Sequence, residues 1–190
     1  MTHDRDEEGG TRAEGAFTRF FAQHYDAVYR YALRRLGPDH AEDVAAETFG
    51  VAWARFDRLP QDNPLPWLYT TARNIVLARS RQARRRGELP HAFDGPWPGA
   101  PTQPDPTAQV LDRHTALAAL NQLRPKDREL VMLLAWEGLD LRAAARVLGC
   151  TAATARVRLH RARRRIDKLL NEDSAATTVN HPLLAQEGTR

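Results

Sequence analysis

The chemistry in this sequence is carried by arginine. In AATARVRLHRARRRIDKLL, residues 152–170, Arg156, Arg158, Arg161, Arg163, Arg164, Arg165 and Lys168 leave no more than two consecutive positions without a cation between Arg156 and Lys168. A guanidinium offers a rigid fork of donors that matches phosphate oxygens and the major-groove edge of guanine, so a helix bearing such a row suits duplex DNA. At helical spacing Ala155, Leu159, Ala162, Ile166 and Leu169 form one narrow stripe, with Arg156, His160, Arg163 and Arg164 opposite and Arg158, Arg161, Arg165 and Lys168 flanking them. A charge run alone reads as a solvated face; one that opposes an apolar stripe reads as a face that meets a polyanion.

Other chemistry is poorly represented. There is no Gly-rich phosphate loop, no His pair at metal-ligand spacing and no nucleophile motif. Asp43 and Glu47 lie one helical turn apart and could hold a metal, but a docking face for protein or a solvated face is the better reading. Cys150 is the single cysteine, so neither an internal disulfide nor a Cys-rich zinc site can form. No metal or cofactor is expected, and no catalysis.

The elements that position the arginines follow from the residues before them. LRAAARVLG places Leu141, Ala144, Ala145 and Leu148 on one face of a short helix, with Gly149 for a sharp turn before the long helix over 152–170. That layout is a helix-turn-helix, in which the start of the second helix reaches base edges and the rest meets phosphate. Further helices are expected near 112–123 and 125–137, with Pro125 in a first turn and Gly138 as a stop.

A second helical domain is expected over 16–86. Its first helix starts near Ala16 and carries Phe17, Phe20, Phe21, Tyr25, Val28, Tyr29, Ala32 and Leu36 inward until Gly37-Pro38. Asp39 is expected to cap a second helix running to Pro60, with Val44, Thr48, Ala52, Phe56 and Leu59 on one face. The loop QDNPLP then precedes a third helix that starts at Pro66 or Trp67 and ends in RSRQARRR. Of 14 aromatic residues, 11 lie between Phe17 and Tyr69; most are core, but Trp67 and Tyr69, with Arg73 and Asn74, follow a loop at a helix start and could face DNA. Nowhere does a two-residue alternation argue for strands, so the fold class is all-α.

The domains divide the charge. Residues 1–15 carry −3, 16–86 carry +5, 87–111 carry −3, 112–171 carry +7 and 172–190 carry −2, within a net +4. Two basic modules on an acidic tether imply a polyanionic partner. Residues 87–111 hold 6 of the 12 prolines and no basic residue, and are expected to be a flexible linker; 1–15 are expected to be a disordered acidic tail and 172–190 a C-terminal tail. The acidic N-terminus lacks the pattern of a signal peptide and no apolar run is long enough to span a bilayer, so a cytoplasmic protein without membrane insertion is expected.

Taken together, FTRFFAQHYDAVYRYALRRLG, DHAEDVAAETFGVAWARF, PLPWLYTTARNIVLARSRQARRR and LNQLRPKDRELVMLLAWEGLDLRAAARVLGCTAATARVRLHRARRRI resemble, in order and spacing from Phe17 to Leu170, the extracytoplasmic-function subgroup of bacterial RNA polymerase sigma factors. The resemblance implies that 16–86 is the region 2 domain and 112–171 the region 4 domain. It implies core polymerase as partner, through the β′ clamp helices and the β flap, with Asp43, Glu47, Phe49, Trp53 and Phe56 at the clamp-helix contact. It implies that Trp67, Tyr69, Arg73, Asn74, Arg84 and Arg85 capture and melt the downstream, minus-ten promoter element. The upstream, minus-thirty-five element would fall to Thr154, Arg156, Arg158, His160, Arg161 and Arg164. An anti-sigma factor is a further implied partner.

This chain departs from the family pattern at Ala46, at Ala78 and in LRAAA, where a more polar, acid-containing sequence is common. The departures bear on individual contacts and not on the fold. A stand-alone helix-turn-helix regulator is the alternative, and it leaves the aromatic, basic domain over 16–86 without a task.

Overall fold

The computed structural model describes the backbone of residues 3–87 and 117–179, and the side chains of 12–87 and 117–171. All of the regular structure among these residues is helical: α1 (His3–Leu36), α2 (Pro38–Trp53), a 3-10 turn (Phe56–Arg58), α3 (Leu65–Arg85), α4 (117–121), α5 (Pro125–Ala135), α6 (Leu141–Val147) and α7 (Ala152–Val179). The expected Pro-rich linker over 87–111 lies, but for Gly87, outside the described residues, as do 180–190 of the expected C-terminal tail.

Boundaries moved where local chemistry overrode pattern. α1 runs back to His3, through residues expected to form a tail; Asp4, Asp6, Glu7 and Glu8 sit near its N-terminus, where the helix dipole favours negative charge. α7 likewise continues past Leu170 to Val179. α2 is shorter than expected, because the chain tightens into the 3-10 turn and puts Phe56 and Leu59 beyond its end. Its N-cap position is Gly37, at φ 79°, with Pro38 in the first turn; Asp39 sits inside that turn and makes no capping bond.

α1, α2 and α3 form a three-helix bundle, and α4 to α7 a second group in which α7 packs on α5 and α6. The two groups are not separate bodies. One buried cluster runs from Val28, Tyr31, Val44, Phe49, Leu68, Tyr69 and Val76 of the first into Leu130, Leu133, Ala143, Ala144 and Ala155 of the second, and α3 packs directly on α6. A smaller cluster, Leu117, Leu120, Leu123 and Ala162, seats α4 on α7.

Candidate nucleic-acid interface

The turn before α7 is built by local bonds. α6 is capped by Asp140, whose carboxylate accepts from the Ala143 amide at 2.7 Å. It ends in a Schellman motif: the Cys150 amide donates to Ala145 at 3.0 Å and the Gly149 amide to Arg146 at 3.1 Å, with Gly149 at φ 62°. Thr151 then starts α7, its hydroxyl accepting from the Thr154 amide at 3.1 Å and lying 2.9 Å from the Thr154 hydroxyl. Ala155 and Ala162 are buried, so α7 approaches its partners closely.

The outward face matches expectation in kind. Thr154, Arg156, His160, Arg161 and Arg164 are exposed, whereas Arg158 is half-buried beside the packed stripe. Thr154 is exposed yet already committed to the helix cap. Val157 was missed: it sits amid the exposed cations of α7 and is 57% exposed, the most open of the large apolar side chains among the described residues. An outward valine is visible in the sequence as a break in the charge run.

The expected downstream face is split. Asn74, Arg84 and Arg85 are exposed, and Trp67 and Arg73 are half-buried. Tyr69 is 2% exposed, its ring 5.2 Å from that of Tyr31, so in this arrangement it cannot touch DNA. Burial, reinforced by the Glu137 carboxylate, pushes the Tyr69 phenol up to about 12. Just before α3, a cavity of about 400 Å³ opens between α1 and the loop, lined by Phe20, His24, Phe56, Gln61, Asp62 and Asn63. Sequence reading singled out the loop but not this recess, whose aromatic wall is Phe20 of α1 and Phe56 of the 3-10 turn.

The expected protein-docking residues divide similarly. Asp43 and Glu47 are exposed and share Arg79 of α3, each at 3.2 Å, so both carboxylates have a cation already. Trp53 is 46% exposed, with its ring edge on Phe17 at 4.8 Å. Phe49 and Phe56 point inward: Phe49 is 3% exposed and meets Phe21 at 4.8 Å, and Phe56 packs on Phe17 and Phe20. Those two pack beneath the expected docking residues. No helix among the described residues is long and apolar enough to cross a membrane.

A buried ionic cluster that the sequence did not announce joins the two groups of helices. Arg35 of α1 reaches Glu129 of α5 and Glu137 beyond its end, the latter at 3.0 Å; Arg34 also bonds Glu137, and the Tyr31 hydroxyl donates to Glu129 at 3.1 Å. Burial alone would lower the Arg35 guanidinium, but the carboxylates around it hold it above its ordinary range and fully charged.

Comparison with known proteins agrees with this geometry. The family described as "Sigma-70 region 2" matches residues 20–86, and "Sigma-70, region 4" matches 113–166. The chain is 33% identical over 169 residues to the ECF RNA polymerase sigma factor SigL of Mycobacterium tuberculosis, covering 86% of this chain and 94% of that one. It is 36% identical over 138 residues to EcfG of Rhodopseudomonas palustris, covering 72% and 75%. Among solved structures it is similar to the sigma factor RpoE in complex with the anti-sigma factor NepR from Bartonella quintana, at TM-score 0.62 and 27% identity over 82% of this chain and 97% of that one. CnrH in complex with the cytosolic domain of CnrY is similar at TM-score 0.56 and 25% identity, over 84% and 90%.

Proposed function

The chain belongs to the sigma-70 family as an extracytoplasmic-function RNA polymerase sigma factor, which binds core polymerase and directs it to promoters, and on that premise we propose how its own residues divide the work. The observation that carries the division is the two-sidedness of α7, with Ala155 and Ala162 buried and Arg156, His160, Arg161 and Arg164 exposed. Arg156, His160 and Arg161, near its start, read base edges of the upstream element, and the later arginines hold phosphate.

Downstream, Trp67, Arg73 and Asn74 line the promoter-facing side of α3, with Arg84 and Arg85 on the backbone. The recess at Gln61, Asp62 and Asn63 is sized for a flipped base, with amides and a carboxylate for its Watson–Crick edge and Phe20 and Phe56 for its ring. Unstacking costs a few kcal/mol, and capture of each base returns about 1 to 3 kcal/mol, so binding energy can open the duplex without a chemical step. The factor is accordingly non-catalytic and works in the cytoplasm beside polymerase.

Asp43, Glu47 and Trp53 meet the β′ clamp helices, and the second domain meets the β flap. An anti-sigma factor covering these surfaces is a further partner, by analogy with the RpoE and CnrH complexes. The test compares promoter binding by the pure protein with binding by the holoenzyme. Weak binding alone and tight, sequence-specific binding with core polymerase is the expected result; equally tight specific binding without polymerase would leave a stand-alone regulator in its place.

A further inference from the structure

α7 does not carry its cations evenly around its outward side. At about 3.6 residues per turn, the line opposite the packed stripe of Ala155, Leu159, Ala162 and Ile166 runs through Ala153, Val157, Arg164 and Lys168. The half of that line nearer the turn is apolar and the far half is cationic, and Arg156, expected on the line, flanks it instead. Ala153 is exposed, and Val157 is 57% exposed. Every other exposed residue from Thr151 to Arg165 is a threonine, a histidine or an arginine.

A lone apolar side chain on a surface is ordinary, but two of them one turn apart on a helix lie side by side and form a small patch. Helix propensity does not account for the larger one, since valine is a weaker helix former than arginine or alanine. Valine is also stiff. Branching at Cβ leaves it one strongly preferred rotamer in a helix, so it presents a fixed surface and gives up little freedom on contact. The Thr154 hydroxyl, next to the patch, lies 2.9 Å from that of Thr151 and is taken up in starting the helix.

The major groove offers an apolar patch one kind of partner, a methyl group on C5 of a pyrimidine. Thymine carries that methyl beside an acceptor oxygen. In 5-methylcytosine it stands at the same place beside an amino donor, and cytosine has only a hydrogen there. Ala153 and Val157 have no side-chain hydrogen-bonding group, so they sense the methyl and not the base that bears it.

We propose that Ala153 and Val157 form a methyl-reading surface at the start of α7, so that 5-methylcytosine in the upstream element is bound more tightly than cytosine and promoter choice responds to cytosine methylation. The proposal rests on the assignment of α7 to the upstream element.

The test uses holoenzyme assembled from the full chain and core polymerase, with fluorescent duplexes carrying an upstream element selected by that holoenzyme from a random library. At each pyrimidine position in turn the base is made cytosine or 5-methylcytosine, both paired with guanine, so that the two duplexes differ by one methyl group. At one or two positions the methylated duplex should bind about fourfold more tightly, the worth of one buried methyl. In the double variant Ala153→Ser, Val157→Ser that gain should disappear, with helical content by circular dichroism retained, because both residues are exposed. Equal binding of the two duplexes at every position overturns the proposal, as does a gain that survives undiminished in the double variant. If the double variant loses helicity, Val157→Thr decides, since it keeps the shape and exchanges one methyl for a hydroxyl: a smaller gain than in wild type supports the proposal and an undiminished one overturns it. Arg156→Ala separates this proposal from the reading beneath it. If that variant shifts promoter preference while methylation has no effect, the methyl-reading surface falls and α7 remains the base-reading helix; if neither Arg156→Ala nor the serine variant alters any base preference, both fall.

Discussion

Arg35 in α1 and Glu129 in α5 form a two-pronged contact out of reach of water: the Arg35 Nε donates to both Glu129 carboxylate oxygens, at 3.1 and 3.2 Å, while its guanidinium carbon stands 3.4 Å from the centre of the Tyr31 ring. Removing Glu129 leaves the buried Arg35 with one carboxylate, Glu137, in place of two, and breaking a buried ion pair costs about 3 to 5 kcal/mol. Glu129→Ala should therefore lower unfolding free energy in urea by an amount in that range. Arg34→Ala should cost clearly less, because Arg34 is 17% exposed and Glu137 keeps Arg35 as a partner. Equal losses from the two would mean that burial does not govern the cluster.

Tyrosine ionisation offers a second view of the same seam. Tyr69 is pushed up to about 12 and Tyr31 well above 10, in both cases chiefly by burial. A phenol whose folded value exceeds its unfolded value of about 10 contributes stability that is fully present below pH 10 and is lost as pH rises through the folded value. The folded chain should thus lose stability between pH 10 and 12. Near-ultraviolet titration of Glu137→Gln should show Tyr69 ionising earlier than in wild type, since burial and the Glu137 carboxylate, in that order, hold it up. An unchanged titration would place Tyr69 outside the influence of Glu137.

What the sequence disclosed was periodicity, and what it concealed was pairing at a distance. Ala155, Leu159, Ala162 and Ile166 announce the packed side of α7 because a helix repeats every 3.6 residues, and Gly149 announces the turn because only its φ of 62° closes the Schellman motif without strain. Tyr31 fell outside the apolar stripe expected for α1, yet it is fully buried, because its cover comes from α5, 98 positions along the chain. Glu129 and Arg35 look like surface charges for the same reason. Tyr69 shows the same limit at the candidate site: its place after a loop suggested exposure, and only the stacking on Tyr31 reveals otherwise.

Arg79 separates docking from stability on the first domain. It is about one-third exposed and bridges Asp43 and Glu47, which are more open still, so the bridge should contribute at most about 1 kcal/mol. Asp43→Lys should leave thermal unfolding nearly unchanged and weaken the affinity for core polymerase at least tenfold, because reversal places a cation beside Arg79 on the docking face. Competition against a second sigma factor for limiting core would measure this. Undiminished competition would remove Asp43 from the docking face.

The two groups of arginines should fail differently. Arg156→Ala should reduce initiation strongly at some promoters and little at others, each lost base contact being worth about 1 to 3 kcal/mol. Removing both Arg84 and Arg85 should weaken all promoters alike and make affinity fall less steeply with salt, by close to two in the slope of log K against log salt. Transcription from a promoter library at two salt concentrations distinguishes these patterns. Parallel losses from both changes would contradict the division between base and phosphate contacts.

Val157 sharpens the account of what α7 reads. It is 57% exposed on the face that carries Arg161 and Arg164. In the major groove the apolar feature it can meet is the C5 methyl group of thymine. Replacing thymine by uracil removes that methyl and nothing else, so one uracil in the upstream element should weaken holoenzyme binding a few-fold, the value of one buried methyl being about 0.8 kcal/mol. In Val157→Ala the same replacement should have a smaller effect, while the dependence on Arg156 persists. If uracil at every upstream thymine position leaves wild-type binding unchanged, Val157 does not contact a thymine methyl, and the base reading of α7 rests on its polar side chains.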